Sequence, residues 1–157
     1  MGLTAEQYQR QIERQQLAVQ NLREGGSFLH ALARAYYLVY VTVSYVATQH
    51  GVTVTHFRQG QTVVDTDDFS HNSIPDVVES LYSGNKRNKV FPGSTPGIAS
   101  GNFTPRQAAM KADLLQRDRK DADYGPTKVP EPFSAEEADE RIRWANMLVE
   151  DLRTILK

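Results

Sequence analysis

The residues best suited to chemistry lie in a charged run at positions 117–124, which reads Arg-Asp-Arg-Lys-Asp-Ala-Asp-Tyr. The guanidinium group of Arg119 keeps its charge and is able to hold a phosphate group through two parallel hydrogen bonds. A charge run of this kind is more often the solvated end of a helix, which has no ligand. The run therefore has two interpretations, an anion site and a solubilising helix end.

A second group of cations lies at positions 83–103, in a segment rich in glycine, proline, serine and asparagine. Lys86, Arg87 and Lys89 are close together there and form the one local patch that could hold RNA phosphates. The whole chain has 18 Lys and Arg against 19 Asp and Glu, a formal charge of −1, so it has no general attraction for nucleic acid or anionic lipid. The alternative interpretation of this patch is a solubilising loop.

Histidines could ligate a metal or move protons. The chain has four of them, namely His30, His50, His56 and His71. They share no helical spacing, and only His71 has carboxylates close by in sequence, at Asp67 and Asp68. There is no cysteine, which excludes thiolate metal sites and disulfide bonds. We therefore expect surface or capping histidines, no metal and no cofactor.

The segment at 27–50 is the element around which the rest of the chain is expected to pack. Large apolar side chains recur in it at steps of three and four, which places them on one side of a helix. These side chains are Leu29, Leu32, Tyr36, Val39, Val43 and Val46. Residues 39–46 also alternate as a strand would, but the pattern extends back to Leu29 without a breaker, and ordinary strands are shorter. We predict a central helix, with an apolar run too short to cross a bilayer.

Three capping boxes mark the starts of further helices, at 4–7, 104–107 and 134–137. A shorter helix, with Pro75 in its first turn, is predicted between the central helix and the capping box at 104–107. Four or five helices with connected apolar stripes argue for a single domain over 1–157, an all-α antiparallel bundle.

Two segments interrupt the helical pattern as loop insertions, at 51–70 and 83–103. In the first of them, alternating β-branched residues flank a polar turn that contains Gly60. A small β-hairpin near 52–64 is therefore one expectation, and an irregular loop is the other. Loops as long as the second insertion tend to be functional or disordered.

The compartment is inferred from two features of the sequence. The first residues are polar and charged and lack the features of a signal peptide. The absence of cysteine fits a reducing environment. We therefore expect a cytoplasmic protein that does not associate with membranes.

Three motifs, in their order along the chain, resemble the HEPN domains (higher eukaryotes and prokaryotes nucleotide-binding), in particular the small stand-alone bacterial members. The motifs are Arg-Ala-Tyr-Tyr at 34–37, Arg-Lys-Asp-Ala-Asp-Tyr at 119–124 and a final helix at 138–149 that has one apolar face. The resemblance covers most of the chain and leaves the two insertions outside it. It implies a HEPN-like helical bundle that forms a homodimer, with the motifs of the two subunits facing each other across a cleft.

The resemblance also implies a function. Many HEPN proteins are metal-independent ribonucleases of toxin–antitoxin or phage-defence systems, and many pair with a small nucleotidyltransferase; an antitoxin protein is a further partner to expect. The candidates for catalysis are Arg119, Asp123 and Tyr124. The candidates for RNA or nucleotide binding include the three loop cations. They are Arg34, Tyr37, His71, Lys86, Arg87 and Lys89. Arg34, with Tyr36 and Tyr37, is expected to face the same cleft as Arg119.

The chain departs from the catalytic pattern of the family, in which a histidine follows an arginine after four to six residues. Tyr124 stands where that histidine is expected, and a phenol with a pKa of about 10 does not move protons at neutral pH as histidine does. Asp123 could pair with Arg119, and Tyr124 could stack on a base. We expect an inactive or divergent ribonuclease that binds RNA or nucleotide, unless His71 reaches the cleft from its other edge. The alternative is a non-catalytic dimeric interaction module that partners a nucleotidyltransferase or another protein.

Overall fold

A computed structural model of the chain describes residues 3–124 and 134–157, without the side chains of 121–124. The elements of this part are α1 (Ala5–Glu24), α2 (Phe28–Gln49), β1 (Thr53–Arg58), β2 (Gln61–Asp65), α3 (Ile74–Ser83), β3 (Val90–Phe91), α4 (Pro105–Tyr124) and α5 (Ala135–Arg153). A 3-10 turn at His71–Ser73 leads directly into α3. None of the described helices is long and apolar enough to cross a bilayer.

Helix α2 is the central element, because α1, α4 and α5 all pack against it. Its apolar residues are buried on several faces, from Ala31 and Leu32 at one end to Val46 and Ala47 at the other. Burying apolar area contributes roughly 25 cal/mol per Å², so the most apolar helix gains most from the centre. The prediction of a helix is confirmed here, and the strand alternative for 39–46 is excluded.

The starts of three helices follow the local capping signals. Thr4 Oγ1 accepts a hydrogen bond from the backbone N–H of Gln7, and Gln7 Oε1 accepts one from the backbone N–H of Thr4. The box at 104–107 makes the same pair of bonds. Ser134 accepts a hydrogen bond from the backbone N–H of Glu137 at 3.1 Å. These bonds occupy N–H groups that have no partner within the helix, and the three predicted starts are confirmed.

The prediction of an all-α bundle is wrong, because the described part of the chain also contains a three-stranded antiparallel sheet in the order β2-β1-β3. The fold is therefore mixed α/β. Strands β1 and β2 form a hairpin, which is one of the two expectations for 52–64, with Arg58 paired to Gln61 across a two-residue turn. Strand β3 pairs with the start of β1, with Val90 opposite Val54.

The hairpin of the sheet is explained by its local turn sequence, whereas the third strand is explained only by its pairing with a distant segment. At the hairpin turn, Gln59 and Gly60 both have positive φ, 51° and 76°, as the central residues of a type I′ turn require. Strand β3, in contrast, is two residues long and lies inside the segment 83–103 that is predicted as a loop. So short a strand has no periodicity of its own, and only its pairing with β1 reveals it.

The two faces of the sheet meet different surroundings. Val54 and Val90 lie on one face and belong to the hydrophobic core, with exposed fractions of 2% and 1%. Side chains alternate between the faces along each strand. The opposite face therefore carries Phe57, Val64 and Phe91, which are 70%, 50% and 42% exposed. One apolar face of this sheet is left open to solvent.

The end of the segment 83–103 is anchored to α5 by Asp151, whose side chain is buried. The carboxylate accepts hydrogen bonds from the Tyr82 hydroxyl at 2.6 Å and from the backbone N–H of Asn102 at 2.8 Å. The side-chain amide of Asn102 also donates to it, at 2.9 Å. Burial, together with the bond to Asp151, raises the pKa of Tyr82. The segment is therefore held against the helices at this point.

Candidate functional site

Three tyrosines of α2 surround one histidine of the 3-10 turn, and we call Tyr36, Tyr37, Tyr40 and His71 the tyrosine–histidine cluster. The Tyr36 hydroxyl lies 2.8 Å from His71 Nδ1. The His71 ring centroid lies 4.6 Å from that of Tyr40 and 6.2 Å from that of Tyr37, which it meets edge-on. Residues four apart on a helix share a face, so α2 presents Tyr36 and Tyr40 together to this ring.

The position of the 3-10 turn is set by the chain just before it. Phe69 is 1% exposed and anchors the turn in the core. Its carbonyl oxygen accepts a hydrogen bond from the Tyr40 hydroxyl at 2.8 Å. The hydroxyl oxygens of Ser70 and Ser73 lie 2.8 Å apart and close the turn. The bond to Tyr40 thus holds the chain before His71 against α2, and the Ser70–Ser73 contact closes the turn around His71.

Arg119 of α4 lies beneath the cluster. Its side chain is 6% exposed, and its Cζ atom lies 5.8 Å from the ring centroid of Tyr36. Burial raises the pKa of Tyr36, and the positive charge of Arg119 only partly opposes that rise. Tyr36 is therefore a neutral phenol at pH 7, able to donate or accept a hydrogen bond but not to act as a base.

Beside Arg119, a buried ion pair joins α4 to α5. The carboxylate of Asp118 is buried, and Arg141 Nε lies 3.1 Å from its Oδ2 atom. A buried carboxylate needs such a partner, because an isolated charge is costly in the interior. The pair fixes the turn of α4 that carries Arg119.

The outer rim of the cluster is polar and accessible. Arg34 is exposed, and its Cζ atom lies 5.9 Å from the ring centroid of Tyr37. On the other side, exposed Asn72 accepts hydrogen bonds at Oδ1 from Gln116 Nε2 at 3.0 Å and from Lys120 Nζ at 3.5 Å. A ligand on this rim meets two cationic side chains, a half-buried phenol and an amide.

A groove of about 490 Å³ runs from Asn72 to the hairpin, and we call it the hairpin groove. Its charged and titratable lining residues are His56, Arg58, Asp76 and Lys89. The carboxylate oxygen Oδ2 of Asp65 lies 2.7 Å from His56 Nε2. Arg58 and Lys89 are exposed.

The structure brings together some of the predicted site residues and separates others. Arg34, Tyr37, His71 and Arg119 come from three elements and meet at the cluster. The loop cations do not act as one patch: Lys86 lies over the Phe91 ring at 4.7 Å, Arg87 Nε lies 3.6 Å from Glu79 Oε1, and Lys89 lines the hairpin groove. Asp123 and Tyr124 fall in the last turn of α4, and their side chains lie outside the described residues.

The other histidines have separate surroundings. His30 is exposed, and His50 caps the C-terminus of α2, where its Nε2 atom lies 2.6 Å from the carbonyl oxygen of Ile155. Within residues 3–124 and 134–157, no group of three or more His, Cys, Asp or Glu side chains is arranged to hold a metal ion.

Five residues of the site are missing from the sequence predictions, namely Tyr40, Arg58, Asn72, Gln116 and Lys120. Lys120 lies inside the charged run and could have been included with Arg119. Nothing in the sequence pairs Asn72 with Gln116, because the two are brought together only by the packing of the 3-10 turn on α4.

Comparison of the chain with family models, with curated proteins and with solved structures gives no match. The resemblance to HEPN domains therefore stays a prediction, and the geometry of the site has to carry the functional argument.

Proposed function

We propose that this protein binds RNA or a nucleotide at the tyrosine–histidine cluster and does not cleave it. The observation that carries the proposal is that exposed cations border the accessible rings of Tyr37 and His71. Arg34 lies over the Tyr37 ring, and Lys120 of α4 donates to Asn72, the residue that follows His71. Aromatic rings bordered by cations form the usual platform for single-stranded nucleic acid, since bases stack on the rings while phosphates meet the charges.

The accessible and buried members of the site have different roles. Arg34, Tyr37 and Lys120 lie at the rim, where a base or phosphate can reach them. Arg119 is nearly enclosed, so it supports the ring of Tyr36 from below. Its burial argues against the role of direct phosphate ligand that the sequence suggests for it.

The chemistry of the cluster favours binding over cleavage. Metal-independent RNA cleavage requires a base for the 2′-hydroxyl and an acid for the leaving oxygen, both able to exchange protons near pH 7. Tyr36 is not suited to act as this base or acid near pH 7, because burial raises its pKa. Among the described side chains of the cluster, His71 alone is of a type that titrates near neutrality.

Binding is tested by fluorescence anisotropy with a fluorescein-labelled six-nucleotide oligouridylate in EDTA. We expect Tyr37→Ala to weaken binding at least about fivefold, since loss of one stacked base costs about 1–3 kcal/mol. Arg34→Ala should weaken it as well, and Arg14→Ala, an exposed arginine on α1, is the matched control. Equal affinity of the Tyr37→Ala and wild-type proteins, with an unchanged thermal melt, would overturn the proposal.

The same incubations test cleavage. We expect the oligonucleotide to remain intact on a denaturing gel after hours at micromolar protein without metal. Cleavage that disappears in His71→Ala would contradict the non-catalytic part of the proposal and favour a ribonuclease. A place in a toxin–antitoxin or phage-defence system is a further proposal, which an adjacent gene for an antitoxin or a nucleotidyltransferase would support.

A second candidate function, a dimeric interaction module, is favoured by the open apolar face of the sheet. Strand β2 is an edge strand, and Phe57 and Val64 are exposed beside it. Unprotected edges of this kind pair readily with another chain. We propose a second copy of this chain as the occupant. Light scattering should then give a dimer mass for the wild type and a monomer mass for Val64→Lys. Leu17→Lys is the control, because Leu17 is an exposed apolar residue on α1, and this variant should remain a dimer. A monomeric wild type would exclude this candidate.

A further inference from the structure

Asn72 belongs both to the rim of the tyrosine–histidine cluster and to the hairpin groove. It follows His71 directly in the 3-10 turn, it accepts hydrogen bonds from Gln116 and Lys120, and it lines the groove on its other side. Asn72 is therefore the residue that the rim of the cluster and the groove have in common. A ligand that leaves the cluster past Asn72 therefore enters the groove.

The two cations of the groove lie at the ends of two different strands. Arg58 ends β1, and Lys89 immediately precedes β3. The backbone carbonyl of Lys89 accepts a hydrogen bond from the N–H of Thr55 at 3.0 Å, which fixes the Lys89 backbone beside β1. The sheet thus holds both cations at one groove although they are far apart in sequence.

The two carboxylates near these cations already have partners. Asp65 Oδ2 lies 2.7 Å from His56 Nε2. Asp76 Oδ1 accepts a hydrogen bond from the Asn88 side chain at 2.9 Å, and Asp76 lies in the first turn of α3, where the helix dipole stabilises a negative charge. Arg58 and Lys89 are consequently directed to solvent as the exposed charges of the groove, which favours an anionic occupant.

The size of the groove matches a ligand of substantial length. Its volume of about 490 Å³ lies within the range of about 300–1,000 Å³ that is usual for ligand pockets. A mononucleotide seated at the tyrosine–histidine cluster would leave this volume unused. A chain of nucleotides would fill both sites.

We infer that the ligand is a single-stranded oligonucleotide, which stacks at the tyrosine–histidine cluster, passes Asn72 and places later phosphates on Arg58 and Lys89 in the hairpin groove. This inference rests on the proposed function and names its substrate class. Phosphate contacts of this kind are independent of base sequence and strongly dependent on salt.

The test compares oligouridylates of two, four, six and eight nucleotides with uridine monophosphate as competitor, using anisotropy. We expect the six-nucleotide strand to bind at least about tenfold more tightly than the mononucleotide. The double variant Arg58→Ala/Lys89→Ala should lose about tenfold or more for the long strand and keep its affinity for uridine monophosphate. Its slope of log affinity against log salt should become shallower by about 1.4, since each single-strand phosphate contact contributes about 0.7.

Arg106→Ala is the matched control, because Arg106 is exposed on α4 about 21 Å along the helix from Lys120. Equal affinity of the double variant and the wild type for the six-nucleotide strand would overturn the inference, while the loss of binding in Tyr37→Ala would still support the proposed function. If Tyr37→Ala binds both ligands as the wild type does, or if neither ligand binds at all, the proposed function fails and the inference with it.

Discussion

Single buried residues decide how the long connection between α3 and α4 is attached. Asp151 is the clearest case, because its carboxylate accepts hydrogen bonds from Tyr82, just before the segment 83–103, and from Asn102, near the end of that segment. Hydrogen bonds to a charged group contribute more than neutral ones, and a buried donor that loses its acceptor is costly. The residue is therefore structural, although a buried acid could suggest catalysis.

We predict that Asp151→Ala lowers the free energy of unfolding by about 3 kcal/mol, since it removes charge-assisted bonds and leaves buried donors unsatisfied. Urea denaturation followed by circular dichroism measures the change. Glu150→Ala is the matched control, because Glu150 is the adjacent acidic residue on α5 and is exposed. A loss below about 1 kcal/mol for Asp151→Ala would contradict the role assigned to this carboxylate.

Single residues also decide how the tyrosine–histidine cluster is assembled. The cluster depends on the contact between Tyr36 and His71, which are 35 positions apart in the chain. The sequence predicts His71 as a candidate and Tyr36 as a neighbour of the cleft, but it gives no reason for the two to touch. The contact arises because Phe69 is buried and carries the 3-10 turn onto α2.

At the scale of elements, the turn of the hairpin has a first central residue that is poorly suited to its conformation. A type I′ turn prefers Asn followed by Gly, and here Gln59 stands in the first position with φ of 51°. Asparagine tolerates the left-handed region better than glutamine does. The second position is occupied by Gly60, which adopts positive φ without a steric penalty.

We predict that Gln59→Asn stabilises the protein by a few tenths of a kcal/mol and raises the melting temperature by about 1 °C. Gly60→Ala should act in the opposite direction and cost about 1 kcal/mol, because its φ of 76° disfavours a side chain. Differential scanning calorimetry of both variants checks the pair. If both substitutions shift the melting temperature in the same direction, the turn conformation described here is wrong.

The helices differ from the hairpin in how far their own sequence determines them. The capping boxes of α1 and α4 predict the first residue of each helix, because every hydrogen bond in a box joins residues within one turn. Strand β3 shows the opposite case. Its two residues form a strand only because Thr53 and Val54, at the start of β1, pair with them.

At the scale of the whole molecule, several tyrosines are enclosed by the packing of α2 and α3 against the other helices. Tyr36 is 0% exposed and Tyr82 is 2% exposed. Burial raises the pKa of both above the ordinary value of 10.0. Burial raises the pKa of Tyr8 and Tyr40 as well.

We predict that the protein loses stability as the pH rises above about 10. The unfolded chain releases the tyrosine protons there while the folded protein retains them, so the native state binds more protons and the free energy of unfolding falls with pH. Each deeply buried tyrosine contributes at most about 1.4 kcal/mol per pH unit in this range. Below pH 10 both states hold these protons, and the contribution is fully present.

Urea midpoints between pH 8 and pH 11.5 measure this effect, with the fluorescence of Trp144, the one tryptophan of the chain, as the probe. Tyr82→Phe should make the decline above pH 10 less steep, because it removes one of the buried phenols whose pKa is raised. A midpoint that is constant up to pH 11.5 would contradict the burial described for Tyr36 and Tyr82.

The sequence by itself determined the helical segments of the described residues, which it predicted as four or five, together with the central place of α2. It also gave the hairpin as one of two expectations. Periodicity and caps depend on residues close together in the chain. The sequence also pointed to Arg34, Tyr37, His71 and Arg119 as candidates, from their types and from a family resemblance. Only the tertiary structure decided that the fold is mixed α/β and that Arg119 is enclosed. It also decided that Lys86, Arg87 and Lys89 have separate surroundings and that Arg58 and Lys89 line the same groove. These features depend on pairing between segments that are distant in sequence, and no local pattern encodes which segments will meet.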